Sequence, residues 1–247
     1  VTDLQKPCFV LLPGAGMSDW LWSRMTPLLK FPFITVDRRL KYNTASNRMN
    51  LSLNDCVDYA MEKVTASGFG SFVIVGHSGS GLLAGLLASR LGDKACHTAY
   101  FAANIPAEGK TTLDSLPEPV RKANRDSVEK MVLANTIPYK LMEPLVRNFL
   151  CNDCDEGTIK FVLEQNFQPE PLCAVNEKMS WKNYPQVAQS YILAILDKTL
   201  SVDKQLEMAG NTGIKDVIRL EAGHMAMLSR PKETADILNS MAGRCAK

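Results

Sequence analysis

Histidine is scarce in this chain: three residues in 247, at His77, His97 and His224. A metal centre built on imidazoles would need them clustered. The Cys-x-x-Cys pair Cys151 and Cys154 has no second pair to complete a four-ligand zinc site. No metal and no cofactor is expected. An excess of charge of one sign is also missing. Lys and Arg number 28 against 26 Asp and Glu, a formal net charge of +2, and no basic run concentrates them. That argues against a nucleic-acid partner and against an anionic membrane surface. No apolar run is long enough to span a bilayer, because Leu82–Leu91 and Tyr191–Leu196 are interrupted or ended by Ser, Arg, Gly or Asp. No signal-peptide pattern, repeat or low-complexity tract is read. The cysteines are seven, an odd number, at positions 8, 56, 96, 151, 154, 173 and 245, scattered through apolar segments. This is not the pattern of a disulfide framework, and a reducing cytoplasm is the expected location.

What is present is the composition of a soluble globular chain, 46% hydrophobic and 22% charged, with length enough for one sizeable core. Short apolar runs alternate with helical segments, which predicts an α/β fold with a mostly parallel sheet flanked by helices. The expected strands are Cys8–Leu12, Phe33–Asp37, Phe72–Val75, Cys96–Ala102, Tyr191–Leu196 and Asp216–Leu220. Helices are expected over Asp19–Leu29, Leu53–Ser67 (capped by Ser52 or Asn54), Gly81–Leu91, Asp203–Ala209 and Pro231–Met241. From about Ile105 to Pro185 the chain turns rich in Pro, Glu, Lys and Asn, with no buried strand in view. Residues 1–104 and 186–247 are therefore expected to form the core, and 105–185 a helical cap inserted between strands, over the C-terminal edge of the sheet.

The stretch Val73–Leu83 carries the chemistry. A buried strand meets a helix through Gly76-His77-Ser78-Gly79-Ser80-Gly81. A turn this sharp needs small flanking residues and lifts the central Ser78 hydroxyl above the sheet, which marks it as a nucleophile. Strict G-x-S-x-G is not met, since Ser80 stands in the last place. Neither the G-x-G-x-x-G order of a dinucleotide loop nor the Gly-Lys of a phosphate loop is present.

A serine needs a base. His77 adjoins it on the turn and should point elsewhere; His97 lies within a strand. His224 follows the last strand in a loop with Gly223 before it, and is the expected general base. The orienting acid should fall between serine and histidine in sequence. Asp197, at the end of the Tyr191–Leu196 run, suits that role better than Asp203, in the first turn of a helix, or Asp216, at the start of a strand. Oxyanion donors are expected from the N–H of Gly79 and, in the glycine-bearing loop Leu12–Gly16, from Ala15.

These residues resemble a known group. Pro13-Gly14-Ala15 followed by Trp20 and Trp22, the Gly76–Gly79 turn, Tyr191 with Asp197, and Gly223-His224-Met225-Ala226-Met227-Leu228 are similar to the corresponding segments of the plant methylesterase and hydroxynitrile lyase family and its bacterial relatives, within the α/β-hydrolases. Asn152-Asp153 and Gln168-Pro169 resemble fragments of that family's cap. The resemblance implies a carboxylic ester hydrolase with Ser78, His224 and Asp197 as its triad. Hydroxynitrile lyases of this type carry a lysine directly after the histidine and a threonine in the oxyanion segment; Met225 and Gly14 stand there instead, as in the esterase branch. The family usually has a histidine where this chain has Pro13. Gly14, Met225 and Trp181 are the expected substrate-binding residues. Leu141, Met142, Leu145, Phe149, Phe161 and Met179 are the cap's apolar candidates. The expected partner is a small-molecule ester, with a homodimer allowed by base rate. The alternatives are an acid–base catalyst of the lyase type on the same triad, and a non-catalytic ligand receptor on this fold.

Overall fold

In a computed structural model of the chain, which describes residues 3–37, 44–115, 121, 130, 132–134, 137–182 and 187–246, the expected strands form one six-stranded parallel sheet. The strands are β1 (Cys8–Leu12), β2 (Phe33–Thr35), β3 (Phe72–His77), β4 (Ala95–Phe101), β7 (Ala188–Ala194) and β8 (Asp216–Leu220), in the order β2-β1-β3-β4-β7-β8. Between β4 and β7, β5 (Ile137–Pro138) and β6 (Asn166–Phe167) form a separate antiparallel pair. Five helices of eight residues or more are described: α1 (Leu53–Ala66), α2 (Gly81–Leu91), α3 (Glu156–Leu163), α4 (Val202–Asn211) and α5 (Pro231–Cys245). None of the described helices is long and apolar enough to cross a membrane.

Every residue of β1 and β3 is buried, as expected for central strands covered on both faces. Alternation divides them between two cores. Cys8, Val10, Leu12 and Ile74 face α1, α2 and α4, while Phe9, Leu11, Val73 and Val75 face α5 and the loops of the opposite layer. Helix α1 starts at a capping box: Ser52 Oγ accepts from the Asp55 N–H, and the Asp55 carboxylate accepts from the Ser52 N–H. Its buried residues Leu53, Cys56, Val57, Ala60 and Val64 fall on one helical face.

The structure departs from expectation in definite ways. Asp19–Leu29 is not one helix but two 3-10 turns, Asp19–Trp22 and Thr26–Leu28. Pro27 removes a donor inside it, and Leu21, Trp22 and Met25 are buried where they stand. β7 lies three residues earlier at its start and two at its end than the apolar run suggested, so Asp197 is in a loop, not at the strand's end. Helix α5 runs four residues further than expected, to Cys245. That extension brings Cys245 to Cys96 at the start of β4, and the two form a disulfide with Cα atoms 5.8 Å apart. The unbridged set of cysteines is thereby corrected, and the reason for expecting a reducing cytoplasm goes with it. The 185/186 boundary of the expected cap lies outside the described residues.

Candidate active site

The strand order reverses direction between β1 and β3, and the loops leaving their C-terminal ends lie side by side there. The β3 loop carries Ser78. Strand and helix are so close that a Cβ on Gly76 would sit 2.6 Å from the Ala84 Cβ, which explains the glycine. Ser78 itself is held at φ 50°, a left-handed conformation that a serine adopts at a cost of about 1–3 kcal/mol. The turn is braced by Asn104, whose N–H donates to the Ser78 carbonyl at 2.9 Å, and by Ser80, whose hydroxyl donates to the Pro13 carbonyl. The two departures from the motif, Ser80 and Pro13, thus bond to each other and tie the elbow to the β1 loop.

His224 and Asp197 converge on that serine. Ser78 Oγ lies 3.0 Å from His224 Nε2, and His224 Nδ1 lies 2.7 Å from Asp197 Oδ2. Both side chains of the second pair are enclosed, at 2% and 0% exposure. The second carboxylate oxygen of Asp197 accepts from the N–H groups of Thr199 (2.7 Å) and Leu200 (3.0 Å), so the loop after β7 aims Oδ2 at the histidine.

The β1 loop abuts the elbow. A Cβ on Gly79 would stand 3.0 Å from the Ala15 Cβ and 3.4 Å from its N, and one on Gly14 would stand 3.0 Å from the Ser78 Cβ and 2.7 Å from His77 Nδ1. Gly14, Ala15, Gly79 and Ser78 are therefore one contiguous patch. On its outer side the loop is gripped by residues following α3. Gly16 N–H donates to Glu170 Oε1 at 2.9 Å, Gln168 N–H donates to the Gly16 carbonyl at 3.1 Å, and the Phe167 ring fills the space a Gly16 Cβ would need.

His77 does turn away from Ser78, but it is not idle. It is fully buried, its Nε2–H donates to the His224 backbone carbonyl at 3.0 Å, and its ring lies 4.8 Å from the His224 ring. Burial and the neighbouring His224 hold its pKa well below the ordinary histidine value, so it is a neutral prop under the His224 loop. His97 is structural as expected, bonded to Ser190 Oγ at 2.8 Å. Asp216 accepts from that same hydroxyl, away from His224.

The remaining candidates are placed differently. Met225 is fully buried with its sulfur 3.6 Å from the Cys151 thiol, so it has no exposed surface for a substrate to touch. Trp181 covers Gly85 on α2, where a Cβ would come within 2.5 Å of the ring, and donates its indole N–H to the Pro106 carbonyl at 2.7 Å. The structure gives it a packing position. Of the apolar candidates after β4, Leu141, Leu145 and Phe149 are exposed, Met179 is in the core beside α2, and Phe161 stacks edge-on against Trp20. Among the described residues no three His, Cys, Asp or Glu side chains are grouped to hold a metal ion.

A serine, an aspartate and a histidine in that chain order on this sheet can be compared with known proteins. The family model described as "Alpha/beta hydrolase family" matches residues 9–237. The chain belongs to the alpha/beta hydrolase family. Within that family it is similar to a probable esterase of Oryza sativa subsp. indica, with 25% identity over 96% of this chain and 97% of that one. It is equally similar to polyneuridine aldehyde esterase of Rauvolfia serpentina, with 25% identity over 95% of each. Among solved structures, an extracellular alpha/beta-hydrolase from a Paenibacillus species superposes with a TM-score of 0.80 at 20% identity, covering 95% of this chain and 98% of that one. These likenesses establish the alpha/beta hydrolase fold along nearly the whole chain.

Proposed function

We propose that the protein hydrolyses a small to medium carboxylic ester, lactone or thioester through an acyl-enzyme on Ser78. The observation that carries this reading is the hydrogen-bonded series from Ser78 Oγ to His224 Nε2 and from His224 Nδ1 to Asp197, with the serine held in its strained turn. In this reading His224 takes the hydroxyl proton as Oγ attacks the acyl carbon. Asp197 accepts from Nδ1–H and stabilises the imidazolium. The N–H groups of Ala15 and Gly79 donate to the tetrahedral oxygen, and Gly14 leaves room for the carbonyl. His224 then returns the proton to the leaving alcohol or thiol; a water deprotonated by His224 attacks the acyl carbon, the acyl–Oγ bond breaks to free the acid, and His224 hands the proton back to Ser78 Oγ. Residues 105–185 act as the cap that shapes the acyl or alcohol pocket. The names of the similar proteins, esterases of plants, support the ester class.

The test is a panel of p-nitrophenyl esters of increasing chain length, with wild type and Ser78→Ala assayed side by side. Turnover by the wild type that falls roughly ten-thousand-fold or more in Ser78→Ala is the expected result. A folded wild type that cleaves no ester, or a mutant that matches it, would overturn the reading.

A further inference from the structure

Cys151-Asn152-Asp153-Cys154 lies between β4 and β7 in sequence, yet it touches both loops that carry His224 and Asp197. Asn152 Nδ2 donates to the Leu196 carbonyl at 2.9 Å, one residue before Asp197. Asp153 Oδ2 accepts from Ser229 Oγ at 2.7 Å, with Arg230 Nη1 at 3.9 Å, at the far end of the His224 loop. The Asp153 side chain is only 6% exposed. Gly223, directly before His224, has both side chains against it. A Cβ there would lie 2.5 Å from Asp153 Oδ1 and 2.8 Å from Asn152 Oδ1. Directly after His224, the Met225 sulfur meets the Cys151 thiol. The two loops are also joined to each other, Leu196 N–H donating to the Ala222 carbonyl at 3.0 Å.

We infer that Asn152 and Asp153 are positioning residues, a clamp by which the segment between β4 and β7 holds the His224 loop and the Asp197 loop in register for proton transfer. The clamp is itself stiff. The Cys151 N–H donates to the Val146 carbonyl at 2.7 Å, and the Cys154 N–H to the Cys151 carbonyl at 3.0 Å. Asp155 then caps α3 through the Thr158 N–H. A rigid turn fastened at both ends of the His224 loop limits the one movement that would harm the site, a slide of the imidazole away from Ser78 or Asp197. Misplacement of about 1 Å is enough to cost about a hundredfold in rate. The clamp explains why position 223 is glycine, and why a stretch remote in sequence bears on the site without touching the reacting atoms.

This inference rests on the hydrolase reading, so its test has a readout that does not need turnover. Asp153→Ala, Asp153→Asn, Asn152→Asp and Ser229→Ala are compared with wild type in the full chain. Measured are kcat and KM on the best p-nitrophenyl ester, and the downfield proton NMR resonance of the His224 Nδ1–H bonded to Asp197. Asp153→Ala and Asn152→Asp are expected to lower kcat by about 10- to 100-fold with KM within about threefold, and to broaden the resonance. Asp153→Asn, whose amide oxygen still accepts from Ser229, restores most of both. Should Asp153→Ala not fold, Ser229→Ala and Asn152→Asp carry the same expectation. Folded variants with a wild-type kcat and a sharp resonance would overturn the clamp. A wild type that cleaves no ester removes the hydrolase reading alone, because the resonance comparison still decides whether the clamp holds the pair.

Discussion

The backbone at Ser78 and Gly16 shows how much of the site is set by single residues. Ser78 keeps its φ of 50° because Asn104 and the Ser80–Pro13 bond hold the turn from both sides. Gly16, at φ 73°, has no such freedom to become another residue, since the Phe167 ring occupies its Cβ position at 2.0 Å. Gly16→Ala is expected to lower stability by about 1–3 kcal/mol, from backbone strain plus displacement of the ring. Chemical denaturation checks this. In the Phe167→Ala background the cost should shrink to the backbone part, and equal costs in both backgrounds would show that the ring contact does not matter. Sequence alone marked Ser78, Gly79 and Ala15 through motif rules. It gave no sign of Asn104 as a brace, nor of the bonds that Ser80 makes to Pro13 and His77 to the His224 carbonyl, because those partners come together only when strands β1, β3, β4 and β8 have aligned.

Strands β4, β7 and β8 are joined at the end opposite Ser78 by His97, Ser190 and Asp216. Burial and the Arg244 charge bring His97 down to about 4, with Asp216 acting in the other direction. A histidine whose folded pKa is depressed is protonated more in the unfolded chain. Its contribution to stability is present above pH 6.5 and is lost as pH falls toward 4. Between pH 7.5 and 5 this amounts to about 2 kcal/mol, with His77 adding loss of the same sign. Urea denaturation at the two pH values should show a fall for wild type that is smaller by about that amount in His97→Asn. Equal pH dependence in the two proteins would contradict the assignment. At this scale the strands were legible because six short apolar runs stand out against polar surroundings. Their ends were less so, since the run Tyr191–Leu196 continues past the last ladder residue of β7, and pairing rather than hydrophobicity ends a strand.

Across the whole molecule, the last helix is bonded to the middle of the sheet. The Cys96–Cys245 disulfide closes a separation of 149 residues between β4 and the end of α5. Cys245→Ser is expected to reduce stability by about 2–4 kcal/mol, as a link across so long a loop restricts the unfolded chain strongly. Thermal unfolding with and without reductant checks it: reductant should lower the wild-type Tm toward that of the variant and leave the variant unchanged. The residues between β4 and β7 reach the site from two directions, through Phe167–Glu170 on the β1 loop and through Asn152–Asp153 on the His224 loop.

The sequence by itself determined the six strands, four of the five expected helices, the parallel α/β architecture, and the chain order of serine, acid and histidine. Each of these rests on local periodicity, or on a backbone demand that only certain residues meet. The tertiary structure alone decided that Cys96 meets Cys245, that Met225 is buried against Cys151 and Trp181 lies over Gly85, that His77 props the His224 carbonyl, and that Asn152 and Asp153 touch both loops. Those outcomes depend on which distant side chains come within hydrogen-bond or van der Waals reach, and no spacing along the chain encodes that distance.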